Sequence, residues 1–213
     1  MIFSPMIELT GKVLITDEDL KNVAMGETVR LDEKAIITPL AGDTARERHL
    51  VIQRVAPALE TPGNSRPRRI AVGADHGGFE MKQELKAFLS KVGCEVLDLG
   101  TQSTAPVDYP DFAEAVALAV ARGTCDLGIM IDGAGIGSCM AANKIPGIRA
   151  AMCYDEASAR NSREHNGANV LTLGGRVLSN TQMQAIVRVW LSSDLTEDRH
   201  RKRVAKIDSL LRQ

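Results

Sequence analysis

From residue 68 onward, short apolar runs alternate with stretches in which apolar residues return every three or four positions. RRIAVGA (68–74), CEVLDLG (94–100), LGIMI (127–131), RAAMC (149–153) and NVLTLG (169–174) are runs of the first kind, and each predicts a strand. Met81, Leu85, Phe88, Leu89 and Val92 fall on one side of a helix. A second helix is expected over 111–123, where glycine closes it, with others over about 137–144, 155–164, 180–192 and 196–211. This alternation predicts an α/β fold: a five-stranded, doubly wound parallel sheet of Rossmann-like type, covered by helices.

The first 57 residues read differently. Thr16-Asp17-Glu18-Asp19 has the form of a capping box at the start of a short helix, with Asp where Glu is commoner. Thr38-Pro39 repeats the idea, with proline in the first turn. VRLDEKAIITPLAGDTARERH (29–49) then reads as strand, turn, strand and helix, a small α+β extension. The stretch ALETPGNSRPRR (58–69) concentrates Pro, Gly, Asn and Ser, a linker composition. The expected organisation is an accessory region over 1–57, a linker over 58–67 and a main domain over 68–213.

Charge narrows the partners. With 26 basic and 27 acidic residues the chain has a formal net charge of -1, so no bulk field recruits nucleic acid or an anionic membrane, and any anion site must be local. No apolar run approaches the roughly 18 to 20 residues of a membrane span, and the N-terminus lacks the regions of a signal peptide. Cysteines at 94, 125, 139 and 153 show no C-x-x-C pairing and read as reduced thiols of a soluble, cytoplasmic protein.

In a doubly wound sheet, ligands gather at the carboxyl ends of the strands, near the point where strand order reverses. Asp75-His76-Gly77-Gly78 follows the first main strand, Asp132 and the loop GAGIGS (133–138) follow the third, and Gly174-Gly175-Arg176 follows the fifth. Glycines at 133, 135 and 137 let backbone N–H groups approach a ligand, an anion cradle or oxyanion hole. The spacing is neither the dinucleotide fingerprint nor the Walker pattern. Asp132 at its entrance suits either a helix cap or a base beside that hole. His165 and Asn166 close the helix before the fifth strand, which sets them opposite the mouth unless the loop returns. Arg199 and Arg203, four apart on the last helix, share a face and with Arg176 suit a phosphate. No third ligand accompanies His76 and His165 at metal-site spacing.

DHGGF, DYPDFA, GIMIDGAGIGSCMAANKIPGIRAA, REHNGANVLTLGGR and DRHRKRV together resemble the type B ribose-5-phosphate isomerase family, which includes the related galactose-6-phosphate isomerase subunits. The resemblance spans about 68 to 210. It implies aldose–ketose isomerisation of a sugar phosphate through an enediolate, without metal or organic cofactor. It assigns His165 to opening the sugar ring. Asp75, Asn166 and the loop Gly133, Ala134, Gly135, Gly137 and Ser138 are assigned to sugar oxygens and the enediolate. His76, Arg176, Arg199 and Arg203 match phosphate-side positions, and Tyr109 a substrate-contacting one. It further implies a homodimer or homotetramer with active sites shared between subunits.

The departure falls on the base. Many members carry cysteine where this chain has Asp132, and others a glutamate at the position of Ser138; this sequence has neither. Asp132 is therefore the expected base. The favoured function is interconversion of ribose 5-phosphate and ribulose 5-phosphate, with isomerisation of a hexose 6-phosphate of galactose or allose type, or sugar-phosphate binding without catalysis, as alternatives. About a dozen residues of the N-terminal region weakly resemble segments on enzymes of bacterial microcompartments, which implies an assembly or microcompartment partner and residence in such a compartment; a plain accessory or oligomerisation module is the other reading.

Overall fold

The computed structural model describes residues 6–9, 12, 14–33, 35–55 and 68–210. The expected linker over 58–67 and residue 211 of the last helix lie outside them. Contacts divide the chain into two compact units, Met1–Glu60 and Thr61–Gln213.

The N-terminal unit runs β1 (Met6–Glu8), β2 (Leu14–Ile15), α1 (Asp17–Leu20), β3 (Thr28–Asp32), β4 (Ile36–Ile37), α2 (Pro39–Glu47) and β5 (Val51–Val55). Thr16 and Asp19 make the expected capping box on α1, and Thr38 accepts a hydrogen bond from the Ala41 amide at the start of α2. Strands β1, β3 and β5 form one parallel sheet and β2 and β4 another. Their registers reveal an internal repeat. Met6 pairs with Thr28 and Leu14 with Ile36, the same 22-residue offset that separates the two capping threonines, Thr16 and Thr38. Each repeat is a strand, a short strand and a capped helix, and stacking them buries Ile15, Leu20, Val29, Leu31 and Ala41.

The main unit contains the expected five-stranded parallel sheet. Its elements are β6 (Arg69–Ala74), α3 (Phe79–Lys91), β7 (Glu95–Asp98), α4 (Tyr109–Ala121), β8 (Leu127–Asp132), α5 (Ile136–Ala142), β9 (Ala150–Met152), α6 (Glu156–Glu164), β10 (Val170–Gly174), α7 (Asn180–Ser192) and α8 (Asp198–Ser209). The strand order is β7-β6-β8-β10-β9: from β6 the chain goes to the edge strand β7, crosses back to β8, goes to the other edge at β9 and returns to β10, so the switch point lies between the carboxyl ends of β6 and β8. Strands β8 and β10 are buried along their whole length, which is why they read as unbroken apolar runs. Val116 and Ala117 of α4 and Ala142 of α5 pack against Ala71 and Val170 of the sheet. Among the described residues no helix is long and apolar enough to cross a membrane.

Candidate active site

Strand β8 delivers Asp132 to the switch point with only 5% of its surface exposed. One carboxylate oxygen accepts hydrogen bonds from the amides of Ala134 (2.8 Å) and Gly135; the other accepts from the amide (2.9 Å) and hydroxyl of Ser138. A carboxylate has about four lone-pair sites, and all four are occupied. The loop can close this tightly because Gly135 sits at φ 82°, a left-handed conformation that side-chain-bearing residues rarely adopt. Thr172 of β10 fastens it by donating to the Gly135 carbonyl at 2.8 Å. The anion in the glycine-rich cradle is thus the chain's own carboxylate. Three amides that the sequence assigns to substrate, those of Ala134, Gly135 and Ser138, are committed to Asp132. Ile136 and Gly137, in the first turn of α5, have no intrahelical acceptor for theirs.

The loops after β6 and β10 close on this one. The Asp75 amide donates to the Ile131 carbonyl (3.2 Å), that of Gly175 to Asp132 (2.7 Å) and that of Arg176 to Gly133 (3.1 Å). Asp75 is 6% exposed and accepts from the amides of Gly77 (2.8 Å) and Gly78 (3.0 Å) through one oxygen. Its other oxygen lies 3.9 Å from His76 Nδ1, which accepts from the Val107 amide at 3.2 Å. Tyr109 opens α4 and lays its ring on the cradle: a Cβ at Gly137 would stand 2.5 Å from the ring's Cζ, so glycine there makes room for the tyrosine. Arg176 is exposed beside Gly133. Asp75, His76, Tyr109, Asp132, the 133–138 loop and Arg176 therefore gather at one end of the sheet.

The remaining candidates do not. His165 is the C-cap of α6 and precedes β10, whereas Arg176 follows it. The five residues of β10 separate those ends by roughly 17 Å at the usual rise of a strand. At the far end, α8 lies beside Gly167 and is anchored by Arg149, which donates to Asp208 at 2.9 Å. Asn166 stands exposed next to His165. Arg199, paired with Glu197, and Arg203 are exposed on α8. The candidates thus form two clusters at opposite ends of the main sheet, one with the carboxylate cradle and one with His165 and two arginines.

The family model for ribose/galactose isomerases matches residues 70–207. This chain belongs to that family. Ribose-5-phosphate isomerase B of Escherichia coli is 46% identical over 143 residues, which cover 67% of this chain and 96% of the relative. Ribose-5-P isomerase B of Listeria innocua is 38% identical over 142 residues, 67% of this chain and 96% of that one. Among solved structures, the Clostridium thermocellum ribose-5-phosphate isomerase B superposes with a TM-score of 0.67 at 49% identity, covering 68% of this chain and 97% of the other. The Trypanosoma brucei type B enzyme gives 0.66 at 41%, covering 68% and 99%. The family match begins after the N-terminal unit.

Two cysteines lie near this region of the main unit. Cys139 points its Sγ at the Ala150 carbonyl (3.3 Å), toward β9 and away from the mouth. Cys153 is 1% exposed, and burial pushes its thiol above the usual range, which keeps it protonated. Two residues at the far cluster went unread in the sequence. His200 stacks on His165, and Asn161 bonds His165 Nδ1 at 2.9 Å. Both carry a sequence signal in hindsight. Asn161 lies four residues before His165, and His200 lies four before the buried Val204, so each pair shares a helix face.

Proposed function

We propose that this protein interconverts ribose 5-phosphate and ribulose 5-phosphate in the cytoplasm, with Asp132 moving the proton between C1 and C2. The observation that carries this reading is the convergence of the Asp75, Asp132 and Gly175 loops on one buried carboxylate at the switch point. Abstraction of a proton next to a carbonyl requires a base at carbon and donors at the oxygen that gains charge. Asp132 is the base, and first-turn amides of α5 face the developing enediolate. To take a proton, the carboxylate must release one of its four hydrogen bonds; the Ser138 hydroxyl is the partner that can rotate away, toward a sugar oxygen. Asp75 then holds a sugar hydroxyl, and Tyr109 walls the cradle.

Each complete site is proposed to form between two copies of the chain, in a homodimer or a dimer of dimers. The cradle, His76 and Arg176 of one copy meet His165, Asn166, Arg199 and Arg203 of another. This pairing supplies both a ring-opening imidazole and a cluster of cations for phosphate, which a single chain keeps at separate ends. The family description also names galactose. An isomerisation assay over ribose 5-, allose 6- and galactose 6-phosphate is expected to give the highest kcat/KM on ribose 5-phosphate. A preference for a hexose phosphate would move the substrate assignment, and no turnover on any would remove the catalytic one. The N-terminal repeat unit is proposed as an assembly module, with a microcompartment as its setting. Deleting residues 1–60 should leave turnover intact and change assembly size in sedimentation, whereas lost turnover in folded protein would put the unit in the site.

A further inference from the structure

The imidazole of His165 is gripped from two directions. On its edge, the Asn161 side-chain amide meets Nδ1 at 2.9 Å. Asn161 presents its NH2 there while its Oδ1 accepts from the Asn166 side-chain Nδ2 at 3.4 Å. An imidazole nitrogen that accepts cannot also carry the proton, so the neutral ring of His165 bears its hydrogen on Nε2. On its face, the ring of His200 lies parallel at 13° with centroids 4.2 Å apart. His200 is 4% exposed, and its buried Nε2 has no hydrogen-bond partner among the described residues. What His200 offers His165 is its flat face.

We infer that His200 is a positioning residue, whose ring fixes the plane of His165 so that, with Asn161 on the edge, a single Nε2–H is aimed at the ring oxygen of a cyclic sugar. This inference rests on the isomerase reading and on His165 as the residue that opens the ring. Opening the hemiacetal breaks the bond between C1 and the ring oxygen; that oxygen takes the Nε2 proton while the C1 hydroxyl proton passes to the same nitrogen, leaving an aldehyde and a neutral His165. No net proton is consumed. An N–H donor in a fixed plane suits the first transfer. The groups facing His200 are His165 from α6 and Glu197, Arg199 and Arg203 from α8. Burial first, then His165 and Arg199, push its pKa below the usual histidine value.

Isotope exchange separates this role from a merely structural one. Ribose 5-phosphate must be opened before it isomerises, whereas ribulose 5-phosphate, its 5-hydroxyl blocked, is already open, so exchange of its C1 proton with solvent reports enolisation without the ring step. His200→Ala is expected to lower turnover of ribose 5-phosphate roughly tenfold or more and C1 proton exchange of ribulose 5-phosphate in deuterated water by no more than about threefold. His200→Phe, which restores a flat ring without nitrogens, should recover most of the loss. Equal losses of turnover and exchange, or no recovery with Phe, would overturn the inference. A second readout is independent of activity: the 15N shifts of the His165 imidazole should report one Nε2–H tautomer in the wild type and an averaged one in folded His200→Ala. Identical shifts in the two proteins sink the inference even if turnover is seen. No turnover by the wild type in either direction, with the tautomer shift intact, refutes the isomerase reading instead.

Discussion

An aspartate whose two oxygens accept four hydrogen bonds must lose one before it can take a proton from carbon. Asp132 keeps three of those bonds with backbone amides, which are fixed, and one with the Ser138 hydroxyl, which rotates. Its identity as the chain's carboxylate at the mouth was legible in the sequence. Its saturation was not, because it depends on where the amides of Ala134, Gly135 and Ser138 point once Gly135 takes its positive φ. The same limit applies at the far cluster. His200 sits within EDRHRKRVAK, a run so charged that it reads as a solvated face, and only the packing of α8 turns one of its side chains inward. Asn161 gives the residue-scale prediction. Asn161→Asp exchanges the donor at His165 Nδ1 for an acceptor, which draws the proton to Nδ1 and strips it from Nε2. Turnover of ribose 5-phosphate should fall roughly tenfold or more, as expected for a wrong tautomer, with steady-state kinetics as the check. Unchanged kinetics would mean that the tautomer does not matter.

At the scale of elements, α3 is pinned to the end of β7 by a buried ion pair. Lys82, fully buried, donates to both oxygens of Asp98 (2.7 and 2.9 Å) and to the Thr101 carbonyl (2.8 Å), while Lys86 adds a bond at 2.6 Å. Removing the carboxylate strands an ammonium in the core. Asp98→Ala is expected to cost about 3 kcal/mol in urea unfolding, whereas Lys82→Met with Asp98→Leu should come out near neutral. Equal losses for the two variants would argue against a stranded charge. Burial alone pushes the Asp98 carboxyl up, but hydrogen bonds from Lys82, Lys86 and Gly100 outweigh it and hold the group below its ordinary value. Its contribution is therefore complete above the unfolded value of about 4 and is lost as pH falls through the lower folded value. Stability measured across acidic pH should decline less steeply in Asp98→Ala than in the wild type. Strands β6, β8 and β10 of the main sheet were legible because burial on both faces leaves continuous apolar runs. In the N-terminal unit β1 and β5 were not: β1 has three residues and β5, VIQRV, sets its two polar residues side by side, so neither shows a strand's alternation, and the 22-residue repeat lives in pattern, IEL against VRL and LIT against IIT, rather than in identity.

At the scale of the molecule, the roughly 17 Å between the ends of β10 explains why candidates that look like one constellation in sequence form two. The sequence order could place His165 away from the mouth, but it could not say that α8 would join it there. The proposed sharing of sites between copies makes a quantitative prediction. Asp132→Asn and His165→Ala should each be inactive alone, yet mixing and reassembling them should restore about a quarter of wild-type activity, since half of the dimers are mixed and one of their two sites is intact. No restoration in verified mixed dimers would place both residues in the same chain's site. The most direct test of the central claim, proton transfer by Asp132, is isomerisation of ribose 5-phosphate in deuterated water, followed by NMR. The wild type should form ribulose 5-phosphate and place deuterium at C1, and Asp132→Asn should bind the sugar phosphate while losing roughly 10²- to 10⁴-fold of both exchange and turnover. Wild-type exchange rates in Asp132→Asn would contradict the assignment.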